Sequence, residues 1–278
     1  MGSKLIFMPV IEKTDLLVNS RVSNSGHAFL SFRTIRNFRD IGGAHTVDGK
    51  HIRQGMIFRS ANPDNLSRKE IEKIHDLNIK SIIDLRAPYE SKNHKKRFGN
   101  IEIISLPLDF ERKTREKLMP YFYEKNSQNK ISDISNSLYL EILDASIPVF
   151  RQVVEILLSP DKCPVLIHCQ AGKDRTGIIV ALILMALKVD SQSIISDFMK
   201  SNDALIPYFK KRLMIRKIIS LGFFPYDTIL FAVTVRQRNI ESILDRVSNH
   251  YGGIEAYVRA SGLATAQIKK LTEKFVTG

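Results

Sequence analysis

Apolar positions along the chain fall into two periods. Four short runs, residues 56–61, 79–85, 101–106 and 163–167, are dominated by Ile, Leu, Val and Phe. Runs of that length and composition predict strands buried on both faces. Between them the pattern is helical. Ser67 followed three residues on by Glu70 is a capping box and predicts a helix to about Leu77. Residues 139–158 predict one or two helices, with Pro148 at a break or in a first turn. After Gly177 an apolar run without a breaker continues to Leu187 and predicts a helix buried all round. Asp48-Gly49 marks a hairpin turn. Strands alternating with helices predict an α/β fold whose central, mostly parallel four-stranded sheet carries helices on both faces.

Beyond Leu187 only helices are predicted. A helix over 191–200 is expected to stop and restart at Ser201-Asn202-Asp203. The next stretch carries an apolar stripe of Leu205, Ile206, Phe209 and Leu213 beside Lys210, Lys211, Arg212, Arg216 and Lys217. Such a pairing suits either a helix lying at an anionic membrane surface or a stripe packed on the core beneath solvated cations. Pro225 opens a further helix to Val235, and helices over 239–250, 253–260 and 264–275 follow, parted by glycines. Residues 190–235 thus read as a helical insertion after the buried helix. Residues 1–36 read as an N-terminal extension, with a strand over 5–11 and a polar loop over 19–26. With no repeat or low-complexity linker, residues 1–278 read as one domain.

Charge narrows the partners. The chain carries 42 Lys and Arg against 29 Asp and Glu, a net +13. That balance favours phosphorylated substrates, anionic membrane or nucleic acid. Trp is absent and no arginine–aromatic pattern offers base stacking, so nucleic acid is set aside. Oligomeric state is not legible. Two cysteines, Cys163 and Cys169, are too few for a disulfide framework once Cys169 serves the chemistry, and Cys163 reads as a core residue at the start of a strand. Residues 5–8 are too short an apolar core for a signal peptide, and 178–187 too short to span a bilayer, so the sequence reads as cytoplasmic. No zinc or calcium-loop spacing occurs, which predicts chemistry without a metal or cofactor.

The candidate chemistry lies between the 163–167 strand and the buried helix, where the chain reads His168-Cys169-Gln170-Ala171-Gly172-Lys173-Asp174-Arg175-Thr176. A tight loop running into a helix N-terminus aims backbone N–H groups into one concavity and suits a phosphate dianion. Residues 170–175 would form that cradle, and Gly172 permits the backbone to curl. Arg175 can grip phosphate oxygens through its planar fork. Loop amides, helix dipole and Arg175 together favour Cys169 as a thiolate, able to attack phosphorus. Thr176 is placed to donate to the departing sulfur, and His168 to order the loop. Lys173 adds a second cation, fitting a substrate with more than one negative group. Asp84 ends a predicted strand, where ligands of open α/β sheets gather, and so is a candidate acid. A nucleotide P-loop is excluded because Asp174, not Ser or Thr, follows Lys173.

His-Cys-x5-Arg-Thr-Gly resembles the signature of cysteine-dependent protein tyrosine phosphatases. Gly-Lys-Asp-Arg-Thr-Gly, with Asn37-Phe38-Arg39-Asp40-Ile41-Gly42-Gly43 and Phe58-Arg59-Ser60-Ala61, resembles the bacterial and fungal tyrosine/lipid phosphatase branch. The resemblance spans about residues 37–275. It implies a protein tyrosine phosphatase-like fold and hydrolysis of phosphotyrosine, phosphoinositides or both through a phosphocysteine. It implies Asp174 as general acid, with Asp84 as runner-up, and a lid made by the helices of the insertion. It also brings in export into a host cell, since the branch includes secreted virulence factors. Arg39, Asp40 and Arg59 are expected either to pin the N-terminal strands by ion pairs or to support the phosphate loop from behind. Two other readings stand beside the first: an inositol polyphosphate phosphatase, and a phosphate-binding module without turnover.

Overall fold

A computed structural model describes residues 32–91 and 98–278. The strand expected at 5–11 and the loop at 19–26 lie outside the described residues. The four expected strands are present as β3 (Ile57–Ser60), β4 (Ser81–Asp84), β5 (Glu102–Ser105) and β6 (Val165–His168). All four run parallel, and a short β1 (Arg39–Asp40) adds antiparallel to β3, giving the order β1-β3-β6-β4-β5. Register aligns Ser60, His168 and Asp84 in one row at the C-terminal edge. The loop after His168 therefore leaves the sheet centre at the edge where ligands of parallel sheets bind.

Both sheet faces are covered. Phe58, Ile82 and Leu166 point to one side and pack with Ile74 of α1 (Arg68–Asp76). Ile57, Ile83, Val165 and Ile167 point to the other, against α3 (Gln128–Ala145), α4 (Ile147–Leu158) and α5 (Asp174–Ala186). Every residue of α5 from Ile178 to Leu184 is buried, so the breaker-free run is a core helix. Pro148 sits in the first turn of α4, where its missing N–H costs nothing. Two helical segments exceed the expectation. α2 (Glu111–Leu118) precedes α3, which itself begins eleven residues before 139. The polar stretch at its start has little apolar pattern, but buried Ile131 and Leu138 anchor it on Leu118, Phe122 and Leu213.

The expected stop at Ser201-Asn202-Asp203 is absent. α6 (Ser191–Ile219) runs straight through it for 29 residues. These side chains bond away from their own helix: Ser201 Oγ accepts from Asn37 Nδ2 at 3.3 Å, and Asn202 brackets the backbone of Val235 at 2.9 and 3.0 Å. A turn-forming residue whose polar atoms are satisfied elsewhere no longer competes with the helix. The stripe is also placed differently from a membrane-facing one. Leu205 and Leu213 are buried, and Phe209 joins Leu213 in the cluster with α3 and α7 (Tyr226–Val233).

The Asp48-Gly49 turn is present, with Thr46 N–H donating to Lys50 O at 2.9 Å. The strand that follows, β2 (His51–Ile52), pairs with the chain's last strand, β7 (Val276–Thr277). Between α7 and β7 lie α8 (Gln237–Asp245), one π-turn (Arg246–His250), α9 (Ile254–Ala260) and α10 (Thr265–Phe275). Among the described residues no helix is long and apolar enough to cross a membrane.

Candidate active site

The loop from Cys169 to Lys173 joins β6 to α5 and is gripped from behind. Gly172 takes φ +66°, and a Cβ there would stand 2.1 Å from Ser60 O, so both conformation and space demand glycine. Its carbonyl accepts from Asn37 Nδ2 and from Arg59 Nη2, each at 2.8 Å. Gln170 O accepts from Asn62 N–H at 3.1 Å. Arg59 is wholly buried and pairs with Asp197, which also takes Arg39 Nε at 2.6 Å. Burial and the neighbouring Arg39 bring Arg59 down to about 10. Burial would raise Asp197, but Arg59 and Arg39 outweigh it and hold the carboxyl at about 2. The two readings offered for Arg39 and Arg59 thus merge: one ion-pair triad pins β1 and β3 to α6 and backs the loop. Asp40 instead accepts from the amides of Gly42 and Gly55.

Arg175 is buried in the first turn of α5, and its fork is partly spoken for. Nη1 and Nη2 donate to the two oxygens of Glu90 at 2.6 and 2.8 Å, and Nη1 also reaches Leu108 O at 3.3 Å. Among the described residues, this leaves Nε–H and one Nη2 proton of the five guanidinium donors on the opposite edge, a pair suited to two phosphate oxygens. Burial would lower Arg175, yet Glu90 and the Cys169 sulfur raise it above its ordinary range, so it is a permanent cation. Glu90 has no motif around it in the sequence. The chain folds back 85 residues to bring it here.

Asp174 is one-third exposed at the loop rim. Lys173 Nζ donates to its Oδ1 at 2.8 Å, and the Tyr139 hydroxyl donates to the same oxygen. Burial would raise Asp174, but Lys173, Tyr139 and Arg175 together hold it low. Burial and Asp174 push Tyr139 far above the usual tyrosine range, so it remains a donor. Glu111, also unforeseen, opens α2 close to Arg175, Glu90 and Asp174, and burial sets its carboxyl above the usual range.

Asp84 is elsewhere in the architecture. It is buried under the loop, with Arg86 donating from Nε at 2.9 Å to one oxygen and from Nη2 at 2.8 Å to the other. Arg86 also pairs with Asp64 at 2.7 Å. Burial opposes ionisation of Asp84, but the hydrogen bonds and charge of Arg86 prevail and lower it. His168 is buried, its Nε2 3.8 Å from Asp84 and its Nδ1 3.2 Å from Cys169 O; burial keeps it neutral. Cys169 is buried, and the fully buried Thr176 hydroxyl beyond it has no hydrogen-bond partner among the described residues. A buried orphan donor is rare in native folds and calls for an explanation.

The tyrosine phosphatase family model matches residues 30–277. The chain belongs to the tyrosine phosphatase family. It is 27% identical over 241 residues to a Cupriavidus necator protein provisionally named a tyrosine-protein phosphatase, covering 85% of each chain. It is 25% identical over 267 residues to the triple specificity protein phosphatase PtpB of Mycobacterium tuberculosis, covering 84% of this chain and 94% of that one. It is 28% identical over 156 residues to the inositol diphosphatase DSP2 of Arabidopsis thaliana, covering 51% of this chain and 58% of that one. The protein is accordingly a phosphoric monoester hydrolase of the cysteine-dependent class.

Proposed function

We propose that this phosphatase hydrolyses monoesters of phosphotyrosine and of phosphoinositides through a phosphocysteine on Cys169, the lipids being met at an anionic membrane surface. The observation that carries the reading is Arg175: Glu90 fixes one edge of its guanidinium, and the other edge keeps two donors for a phosphate. Loop amides 170–175 complete the cradle. Cys169 Sγ forms a bond to phosphorus as the bond from phosphorus to the ester oxygen breaks. Asp174 gives its proton to that oxygen. Water then attacks phosphorus, returns a proton to Asp174 and breaks the S–P bond, while Thr176 donates to the leaving sulfur and so finds its missing partner. Asp174 suits the acid better than Asp84, which is buried and clasped by Arg86. Its resting charge is no obstacle, because a bound phosphate dianion is a like charge that raises a nearby carboxyl.

The names of the relatives, triple specificity phosphatase and inositol diphosphatase, support the breadth of substrate. A soluble inositol polyphosphate is the second reading, favoured by Lys173 beside the loop. Profiling an aryl phosphate, a phosphotyrosine peptide, a phosphoinositide and an inositol polyphosphate in excess chelator separates them. Cys169→Ser should abolish turnover of all, and vanadate should inhibit the native protein. Turnover that persists in Cys169→Ser, or that is lost to chelator, would overturn the mechanism. Binding of phosphate esters without any hydrolysis would leave only the non-catalytic module.

A further inference from the structure

Six large apolar side chains stand exposed within ten residues: Met214 at 43%, Ile215 at 49%, Ile218 at 68%, Ile219 at 77%, Leu221 at 87% and Phe223 at 85%. They occupy the last turns of α6 and the turn beyond it. The segment is ordered. Gly222 N–H donates to Lys217 O at 2.8 Å, Leu221 N–H to Ile218 O at 3.0 Å, and Phe224 N–H to Ser220 Oγ at 2.9 Å. Its underside is anchored, since Leu213, Phe224 and Tyr226 pack in the cluster with α3 and α7. Phe223 points out while its neighbour Phe224 points in, so exposure here follows from the fold rather than from a frayed end. Soluble proteins seldom hold so much apolar surface in water without a use for it.

The surroundings indicate what covers the tip. From Ala204 to Tyr226 the chain carries Lys210, Lys211, Arg212, Arg216 and Lys217 and no Asp or Glu. Arg216 and Lys217 lie over the rings of Phe224 and Tyr226, at 5.9 and 5.3 Å, and so collar the base of the tip. A helix end with its turn is convex and fits no flat or convex partner surface closely. A second copy would set collar against collar in a chain of net charge +13. An anionic bilayer accepts protruding apolar side chains and rewards a ring of cations at headgroup depth.

We propose that the tip of α6, from Met214 to Phe223, inserts into the interface of an anionic lipid bilayer, with the collar of Lys and Arg on the headgroups. Of the stripe that the sequence offered for this role, Leu205 and Leu213 are buried and Phe209 packs beside Leu213, and the docking surface lies one to two turns further on. The purpose of the site rests on the phosphoinositide part of the proposed function, but its evidence does not. Ile219 is 18 residues beyond Ser201, the α6 residue bonded to the loop-bracing Asn37, a rise of about 27 Å along the helix. Substitutions at the tip should therefore leave hydrolysis of a soluble aryl phosphate unchanged.

The test is co-sedimentation of the full chain with phosphatidylcholine vesicles, with and without phosphatidylserine, and with no phosphoinositide present. Binding should be at least about tenfold stronger with phosphatidylserine and weaken with salt. Replacing Ile218, Ile219, Leu221 and Phe223 together with Ser should lower it at least about tenfold. Replacing Lys210, Lys211, Arg216 and Lys217 with Gln should remove most of the salt dependence. Because the chain has no Trp, Phe223→Trp is a single-site reporter, and its emission should shift to the blue only on anionic vesicles. Failure to bind, binding that the Ser variant retains, or a reporter that stays in water while the protein sediments would each overturn the proposal. Loss of a dimer rather than of vesicle binding in the Ser variant would reassign the tip to self-association. Vesicle binding in a chain that hydrolyses nothing would keep the docking site and discard the catalytic reading, and the converse result would do the opposite.

Discussion

Asp174 rests as an anion between Lys173 and Tyr139, while a general acid must carry a proton when the ester bond breaks. Tyr139 helps to hold Asp174 low, so Tyr139→Phe should raise its pKa and carry the alkaline limb of the kcat–pH profile to higher pH. Asp174→Asn should erase that limb and slow turnover of a poor, alkyl leaving group by roughly 10²–10⁴, sparing an activated aryl ester. Glu111→Gln is the decisive control, because burial sets Glu111 above the usual range beside the same Arg175. A limb untouched by the first two substitutions and moved by the third would make Glu111 the proton donor. At this scale the sequence was readable wherever chemistry is local. Cys169 and Arg175 are bound together by spacing, and Gly172 by the curl between them. Glu90 holds Arg175 and Tyr139 holds Asp174, but both come from distant segments with no motif, so only the folded chain brings them in.

Elements were legible where a local signal and the tertiary demand agree. Ser67 and Glu70 form the capping box that the sequence shows, and the fold gives the carboxylate more to do. Glu70 also accepts from the backbone amides of Arg33 and Thr34, at 2.6 and 2.9 Å, and so ties the N-terminal approach to α1. Burial would raise this carboxyl, but the bonds from Ser67 and Thr34 bring it down to about 2. A carboxyl depressed in the fold contributes stability that is complete above its unfolded value, near 4.5, and fades as pH falls toward 2. Glu70→Gln should thus cost on the order of 2 kcal/mol at neutral pH and flatten the loss of stability between those two values, as read by urea unfolding at a series of pH. An unchanged acid limb of stability would show that the unfolded chain holds Glu70 as tightly. Local signal and tertiary demand disagree at Ser201-Asn202-Asp203, which spells a helix end. Bonds to Asn37 and to Val235 remove the competition there and let α6 continue to the exposed tip. The same disagreement hid the start of α3, where packing on Leu118 and Phe122 replaces an apolar pattern.

Across the whole molecule the C-terminal end of the chain closes on the segment around β2, far from the chemistry. β7 pairs with β2, Arg53 N–H donates to Phe275 O at 2.7 Å, and Lys274 Nζ donates to Leu157 O and Ser159 O at 2.8 Å, closing the carbonyl end of α4. The hairpin before β2 touches the end of α5 remote from the loop, through Val47 N–H to Lys188 O at 2.8 Å. α5 is 13 residues long, so this seam lies about 20 Å from the Cys169–Arg175 turn. Ending the chain after Phe275 removes the β2–β7 ladder but not the Lys274 bonds. It should cost about 1–2 kcal/mol and lower Tm by a few degrees, with kcat on an aryl phosphate unchanged. Adding Lys274→Ala frees two helix-end carbonyls and should deepen the loss of Tm, again without touching kcat. A fall in kcat that tracks the fall in Tm, measured well below the transition, would mean that closure of the β2–β7 seam sets the shape of the phosphate loop. Independence of the two would show that the loop is held by its own braces, Asn37, Asn62 and the Arg39–Asp197–Arg59 triad, and that the seam serves the fold alone.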